Sequence, residues 1–445
     1  RPAPSPPGRS TETMKATGAL LRTARWALIG ATAVFALIGL LYVTRGTVVR
    51  HVQGVGADGS PVSPHEPQFP QSVTMLTGAT LAPGHRVEIL LNGDETFERL
   101  WEDLRSARRS IILQLYYGQG GRVAETLRDI LLERAAAGVR VFVLYDAFGF
   151  QRIPPGHSEA FRDAGVTIVP FRPLRLATLH LAQNRSHVRA VLIDGRIGWT
   201  GGFGLDDKWL GDGVTNGSWR ETNVRFEGPA VRQLLAAVAA AWVEATGVLF
   251  SGRLTPATSA EGNATAGLLH AAPTMGSTTA ERFFALSIAA AARTLYITNA
   301  YFVPDDNFVG LLAESARRGV DVRVLTAGPR TDLALVRLAG RRRYDALLAA
   351  GVRIYEWQPT TLHAKTFVVD GLWATVGSMN FDNRSLVIND EATLMVLDPH
   401  VGARMNAIFT DDLRHAREID AARFRTRWWT TRAAESVAGL LARLL

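Results

Sequence analysis

The chain has 445 residues, is 47% hydrophobic and carries a formal charge of +8, with Lys and Arg outnumbering Asp and Glu by 49 to 41. That length and apolar content allow buried cores and up to three domains, and the basic balance suits an anionic partner: a phospholipid surface, a phosphodiester or nucleic acid. Zero cysteines exclude disulfides, thiolate catalysis and cysteine-based zinc sites.

Residues 1–25 are rich in Pro, Ser and Arg and predict a disordered basic tail; the chain opens on Arg1, and Met14 is the candidate initiator. Trp26 to Val43 is a run of 18 uncharged, mostly apolar residues flanked by Arg22, Arg25 and Arg45. Its length predicts one transmembrane helix, with Trp26 and Tyr42 as interfacial aromatics. A signal peptide shares these features, but the run is long for a signal core and no Ala-x-Ala site follows closely. The excess of basic residues before the span puts the tail inside and the bulk of the chain outside.

Residues 44–83, rich in Gly, Pro, Ser and Val up to residue 72, read as a linker. From Gly84 the pattern alternates between strand and helix, which predicts an α/β layered sheet. Phe97, Leu100, Trp101 and Leu104 keep helical spacing. Ile111 to Tyr117 reads as a strand, Val123 to Ala137 as a helix ending at Gly138, and Val139 to Tyr145 as a strand. The order then repeats: strand Leu295 to Phe302, helix Val309 to Arg318 with Gly319 as its cap, strand Val320 to Leu325. A period close to 180 residues is a duplicated domain. The predicted lobes are 84–265 and 266–422, joined near Ser259 to Thr279, with a basic-aromatic helix at 423–445 that carries Arg423, Arg425, Arg427, Trp428, Trp429 and Arg432. That helix fits a membrane interface or a plain packed helix.

Each lobe contains one histidine motif. His363 and Lys365 lie two apart, so a strand sends both side chains to one face. Val368 and Val369 continue the strand, Asp370-Gly371 suits a tight turn, and a return strand runs through Ala374, Val376 and Ser378, with Asn380 beyond. Upstream, His187, Arg189 and Asp194 stand at the same offsets, and Thr200-Gly201-Gly202 matches Val376-Gly377-Ser378. An imidazole among fixed donors is a place to hold a phosphate and attack it. A pseudo-two-fold arrangement of the lobes would bring both histidines to one cleft.

The two motifs resemble the paired His-x-Lys-x4-Asp signatures of the phospholipase D superfamily, and the surrounding sequence is similar to bacterial cardiolipin synthases. The resemblance runs from about Gly84 to Asp420 and includes Asn184-Arg185-Ser186-His187, Trp219-Arg220-Glu221-Thr222, Tyr301-Phe302-Val303-Pro304-Asp305, Arg318 to Arg323 and Asn389-Asp390-Glu391. It implies two phospholipase D-type α-β-α lobes and a two-step exchange in which one histidine becomes a phosphohistidine while the other protonates the leaving alkoxide and then deprotonates the incoming alcohol. His187 is assigned as nucleophile and His363 as acid/base, although the repeat permits the reverse. Glu221 and Glu391, 34 and 28 residues after the two histidines, would orient the imidazoles; surface carboxylates are the alternative.

Lys365 and Arg189 would neutralise phosphoryl oxygens, with Asp194 and Asp370 completing the signature in a turn position that suggests a structural role. Asn380, Ser378, Gly202, Arg185 and Arg220 are the candidate substrate-binding residues. Two departures from the family stand out: Arg189 where it has Lys, and Gly204 where Asn is expected. They leave open a weakened or retuned first lobe. Phe171 to Ala182, with Arg172 and Arg175 and no acid, reads as a lipid-facing lip or a buried loop.

The expectation is a phosphatidyltransferase anchored by one span in the bacterial cytoplasmic membrane, making cardiolipin from phosphatidylglycerol. No metal, cofactor or nucleic-acid partner is expected, and the oligomeric state is left open. The rivals are a hydrolase of the same superfamily, acting on lipid or nucleic acid, and a non-catalytic anionic-lipid-binding paralogue.

Overall fold

The computed structural model describes residues 11–54, 62–150, 155–175, 182–254, 259–272 and 278–442. The chain divides into two units, residues 1–45 and 46–445. In the first, Thr11–Val43 forms one helix, and its stretch Leu21–Leu41 is long and apolar enough to cross a membrane by length and composition. Helix therefore begins well inside the tail expected to be disordered: Thr11 to Arg25 contains no proline and is rich in good helix formers. Residues 1–10 lie outside the described residues.

The second unit is built on one large mixed sheet. Its strands are β1 (Ala82–Leu91), β2 (Ser110–Leu115), β3 (Arg140–Asp146), β4 (Thr167–Phe171), β5 (Ala190–Ile193), β6 (Ile197–Gly201) and β7 (Thr222–Glu227), followed by β8 (Ala264–Ala271), β9 (Thr294–Asn299), β10 (Asp321–Thr326), β11 (Arg353–Trp357), β12 (Lys365–Val369), β13 (Trp373–Gly377), β14 (Glu391–Leu397) and β15 (Ala416–Glu418). Strands β1 and β8 pair antiparallel at the centre. Outwards from that seam one half runs β1-β7-β6-β5-β2-β3-β4 and the other β8-β14-β13-β12-β9-β10-β11-β15. The halves share their order, each with three parallel strands at the outer side. The boundary expected at 265/266 falls inside β8, which needs β1 on one edge and β14 on the other.

The predicted strands and helices form in place. Helices Asn92–Ser106, Arg122–Ala136 and Asp306–Arg317 cover the sheet, and Gly138 and Gly319 follow the last two at φ 84° and 91°, the left-handed conformation that lets a helix end without a Cβ clash. The three largest apolar clusters among the described residues fill the layers. Two belong to the separate halves, around Leu104, Ile111 and Val141 and around Phe284, Ile297 and Phe367; the third joins them through Phe226, Leu268, Val376 and Leu394.

The segment expected to be a linker is part of the second unit. Helix Phe69–Thr77 buries Phe69 and Val73 completely, and the Phe69 ring packs edge-on to Trp373 at 5.1 Å. Thr47 N–H donates to Asp305 at 2.5 Å and Val48 N–H to Glu281 at 2.9 Å. Each fully buried side chain of this kind stabilises by roughly 1.5–3 kcal/mol, which holds the segment down despite its loop-like composition; residues 55–61 lie outside the description. At the C-terminus, helix Trp429–Leu440 follows Ala421–Arg425. Arg427 is largely buried on Glu435 and Asp345, so it belongs to packing, whereas Trp428 and Trp429 are exposed.

Candidate active site

Both motifs are strand–turn–strand units, as predicted. Asp194-Gly195 and Asp370-Gly371 have φ of 55°, 65°, 54° and 65°, the pairs of positive values a tight hairpin turn requires. Each aspartate points back along the sheet. Asp370 accepts from the backbone N–H groups of Ala292, Arg293 and Thr294 at 2.7–3.0 Å, and Asp194 from those of Arg108, Arg109 and Ser110. They tie the turn to the start of the neighbouring strand, at the strand end away from the histidines. They are positioning residues, a correction to their place in the catalytic set.

The histidines lie just before β5 and β12, and their backbones are linked across the halves. His187 N–H donates to Asp390 and His363 N–H to Arg220, both at 2.8 Å, while Asp390 N–H and Arg220 N–H donate back to Arg185 and Thr361 at 2.9 Å. These short parallel bridges bring the carboxylate of one half under the histidine of the other. His187 Nδ1 lies 3.0 Å from both oxygens of Glu391, and His363 Nδ1 lies 2.5 Å from Glu221 Oε2. The carboxylate that follows each histidine in sequence therefore serves the other one. Nδ1–H donation to a carboxylate leaves the lone pair on Nε2 in both rings.

Both imidazoles line a single cavity of about 360 Å³, together with Arg189, Tyr116, Tyr117, Lys208, Trp219, Tyr301, Asn380 and Arg384. Burial, with Lys365 beside it, pushes His363 down to about 3, and burial with Arg189 and Lys365 holds His187 well below its ordinary value. Burial alone would raise Glu221, but His363 and Lys365 overcome it and hold the carboxyl at about 2. Glu391 goes the other way: burial raises it to about 7 despite hydrogen bonds from Ser378 and Ser385. Burial also lowers Lys365 to about 7. Its ammonium donates to the His363 carbonyl, and Arg189 makes the matching bond to the His187 carbonyl at 2.9 Å. Arg189 thus does in one half what Lys365 does in the other, and it reaches the cavity wall while Lys365 stands behind it.

Gly204 has a local explanation. A Cβ there would lie 2.7 Å from the Trp209 ring, so Trp209 fills the space that Asn380 occupies in the other half. Trp209 stands at the repeat position of Ser385. Its indole N–H approaches Glu221 at 3.4 Å, where Ser385 donates to Glu391 at 2.7 Å. The glycine and the tryptophan are a coupled exchange for asparagine and serine. G204N alone is therefore expected to cost about 1–3 kcal/mol by overpacking, and Trp209→Ser to show favourable coupling to it in a double-mutant cycle of denaturant unfolding.

Of the residues expected to bind substrate, Asn380 lines the cavity. Ser378 instead donates to Glu391 at 2.5 Å, and Gly202 leaves the room that the Glu221 carboxylate fills. Arg220 is buried in a two-bond pair with Asp412 at 2.8 Å. Arg185 is buried beside Asp146 at 3.7 Å. In the expected lip, Phe171 is core and Arg172 pairs with Glu244 and Asp390; residues 176–181 lie outside the description. Tyr116, Tyr117, Lys208, Trp209 and Arg384 were not singled out from sequence. Tyr117 and Tyr301 had a signal: each stands two residues past the end of β2 or β9, its half's counterpart strand.

A family profile described as "Cardiolipin synthase, PLD-like domain" matches residues 286–413. Curated relatives named cardiolipin synthase include one from Geobacillus kaustophilus, 33% identical over 88% of this chain and 78% of its own length. Another, from Pseudomonas putida strain ATCC 700007 and named cardiolipin synthase A, is 34% identical over 76% of this chain and 70% of its own. Among solved structures, the phosphatidylserine synthase of Haemophilus influenzae superposes with a TM-score of 0.60 at 14% identity, covering 84% of this chain and 97% of that one, a likeness of fold. With identity above 30% across most of both chains, the crossed histidine–glutamate pairs sit in a chain that belongs to the cardiolipin synthase family of phospholipase D-like phosphatidyltransferases.

Proposed function

We propose that this protein transfers a phosphatidyl group from one phosphatidylglycerol to the glycerol hydroxyl of another, through a phosphohistidine on His187, making cardiolipin and releasing glycerol. The helix at Leu21–Leu41 anchors it as a single span in the bacterial cytoplasmic membrane with the catalytic unit outside. The observation that carries the reading is the pair of crossed imidazole–carboxylate couples on one cavity. Either histidine alone would give half of a displacement; two on one cavity supply a nucleophile and an acid.

His187 Nε2 attacks phosphorus, the bond to the leaving glycerol oxygen breaks, and His363 delivers the proton to that oxygen. The acceptor hydroxyl then gives its proton to His363 while its oxygen bonds phosphorus and the phosphorus–nitrogen bond breaks. The electrostatics favour this division of labour. Glu221 stays ionised down to about 2 and supports an imidazolium on His363, whereas Glu391, raised to about 7, leaves His187 less biased towards the charged form. An anionic phosphodiester would offset Arg189 and Lys365, the cations that depress both rings. Incubation of the purified chain with phosphatidylglycerol vesicles tests the reading: cardiolipin and free glycerol in equal amounts are expected, and formation of phosphatidic acid alone would make it a hydrolase.

Lys365 predicts a pH dependence. Its value near 7 means the ammonium loses its proton as pH rises through neutrality, and kcat/KM falls with it because a cation that offsets the charge of the bound phosphodiester disappears. K365R keeps the charge, as Arg189 does already, so its pH–rate profile should stay level well beyond pH 7. An alkaline limb that does not move in K365R would exclude Lys365 as its source.

A further inference from the structure

Lys208 and Arg384 stand 21 residues after His187 and His363 respectively, and both line the cavity. They are treated differently. The Lys208 ammonium lies 3.9 Å from the Tyr117 ring centroid, 4.0 Å from Trp219 and 4.6 Å from Trp209, with Asp206 at 3.9 Å. No aromatic ring packs against Arg384 among the described residues; its guanidinium donates to the Gln183 carbonyl at 3.3 Å, and its chain neighbours Asp382 and Ser385 line the cavity with it. Trp219 and Trp209 also flank His363, their centroids 5.1 and 5.6 Å from its ring. Three π-faces converging on one point are a seat for an alkylammonium ion. In this chain the seat holds a lysine.

We propose that the Tyr117–Trp209–Trp219 box is a headgroup cation subsite filled from within: Lys208 occupies the place a choline or ethanolamine ammonium would take, so the cavity rejects cationic headgroups and admits anionic or polyol ones. A second cation there would meet the Lys208 charge. It would also oppose the imidazolium His363 must form during transfer, because a nearby like charge disfavours the protonated ring. A glycerol headgroup brings neither conflict. This assigns the polar-alcohol class of the substrate, and it rests on the transfer reading for its effect on turnover but not for its effect on binding.

The test is a calorimetric titration of the full chain in lipid nanodiscs with tetramethylammonium and with choline. The wild type should show no saturable binding. K208A and K208Q should bind both cations at least about tenfold more tightly than any residual wild-type uptake, and K208A/W219A should lose the gain. Saturable wild-type binding of either cation overturns the proposal, whether or not the variants fold. So does the absence of binding in K208A and K208Q when their melting profiles match the wild type. Choline supplied to K208A with phosphatidylglycerol should also yield phosphatidylcholine: the phosphorus–nitrogen bond to His187 breaks, the choline oxygen bonds phosphorus, and its proton goes to His363. Cation binding gained without that product supports the box and counts against the transfer reading, which separates the two.

Discussion

H187A is expected to lower turnover by about 10⁴-fold or more, and H363A by about 10²- to 10⁴-fold, but the two should stop at different points. Without His187 there is no nitrogen to take the phosphatidyl group, so no covalent species forms. Without His363 the first displacement can still proceed on a donor with an acidic leaving group, which needs no proton. The adduct on His187 then persists because nothing deprotonates the incoming alcohol. A short-chain phosphatidyl ester of nitrophenol labelled in phosphorus makes the distinction. Acid-labile label should remain on H363A after denaturation and be absent from H187A. The opposite pattern would exchange the roles, which the repeat allows, and label on neither would remove the phosphohistidine. The crossed carboxylates give a reason to expect the pattern stated. Glu221, bonded to His363 at 2.5 Å and ionised down to about 2, stabilises the imidazolium that His363 passes through when it carries the proton, which suits that ring to the acid/base role.

Local chemistry was legible in the sequence wherever neighbours in the chain are neighbours in space. The His-x-Lys strand, its Asp-Gly turn and the return strand need only period-two alternation and a turn that tolerates positive φ, and both copies fold that way. The crossing of the carboxylates was not legible. Glu221 and Glu391 each follow their own half's histidine, and only the bridges Ser186–Asp390 and Leu362–Arg220 reveal the exchange. Gly204 looked like a loss because its compensation, Trp209, fills the space with a ring instead of an amide at the same site. Phe69 and Val73 sat in a stretch whose glycines and prolines masked two anchors. Tyr117 and Tyr301 could have been found by aligning the repeats past β2 and β9, since a strand end is where a cleft opens.

Arg220→Ala is expected to destabilise the protein by about 3–5 kcal/mol, the effect of breaking a buried ion pair and leaving one charge behind. Arg220 is 2% exposed and Asp412 7% exposed, and the guanidinium meets the carboxylate through two parallel bonds of 2.8 Å. Its remaining nitrogen bonds Thr222 at 3.0 Å and the Glu221 carbonyl, while its own carbonyl receives the His363 N–H. The side chain thus fixes the start of the strand beside Glu221, and the residue's own backbone, held in place with it, carries the bond to His363. In R220A the stranded Asp412 carboxylate lowers the unfolding midpoint in denaturant, and loosening of the Glu221–His363 bond lowers kcat with it. A substrate-binding arginine would behave otherwise, raising KM while leaving the unfolding free energy near the wild-type value. R220M/D412L separates the two further: replacing both charges by apolar side chains of similar length removes the stranded carboxylate, so much of the stability should return. Activity should return only as far as Glu221 regains its place under His363, because the pair acts on the chemistry through that carboxylate and makes no contact of its own with the cavity.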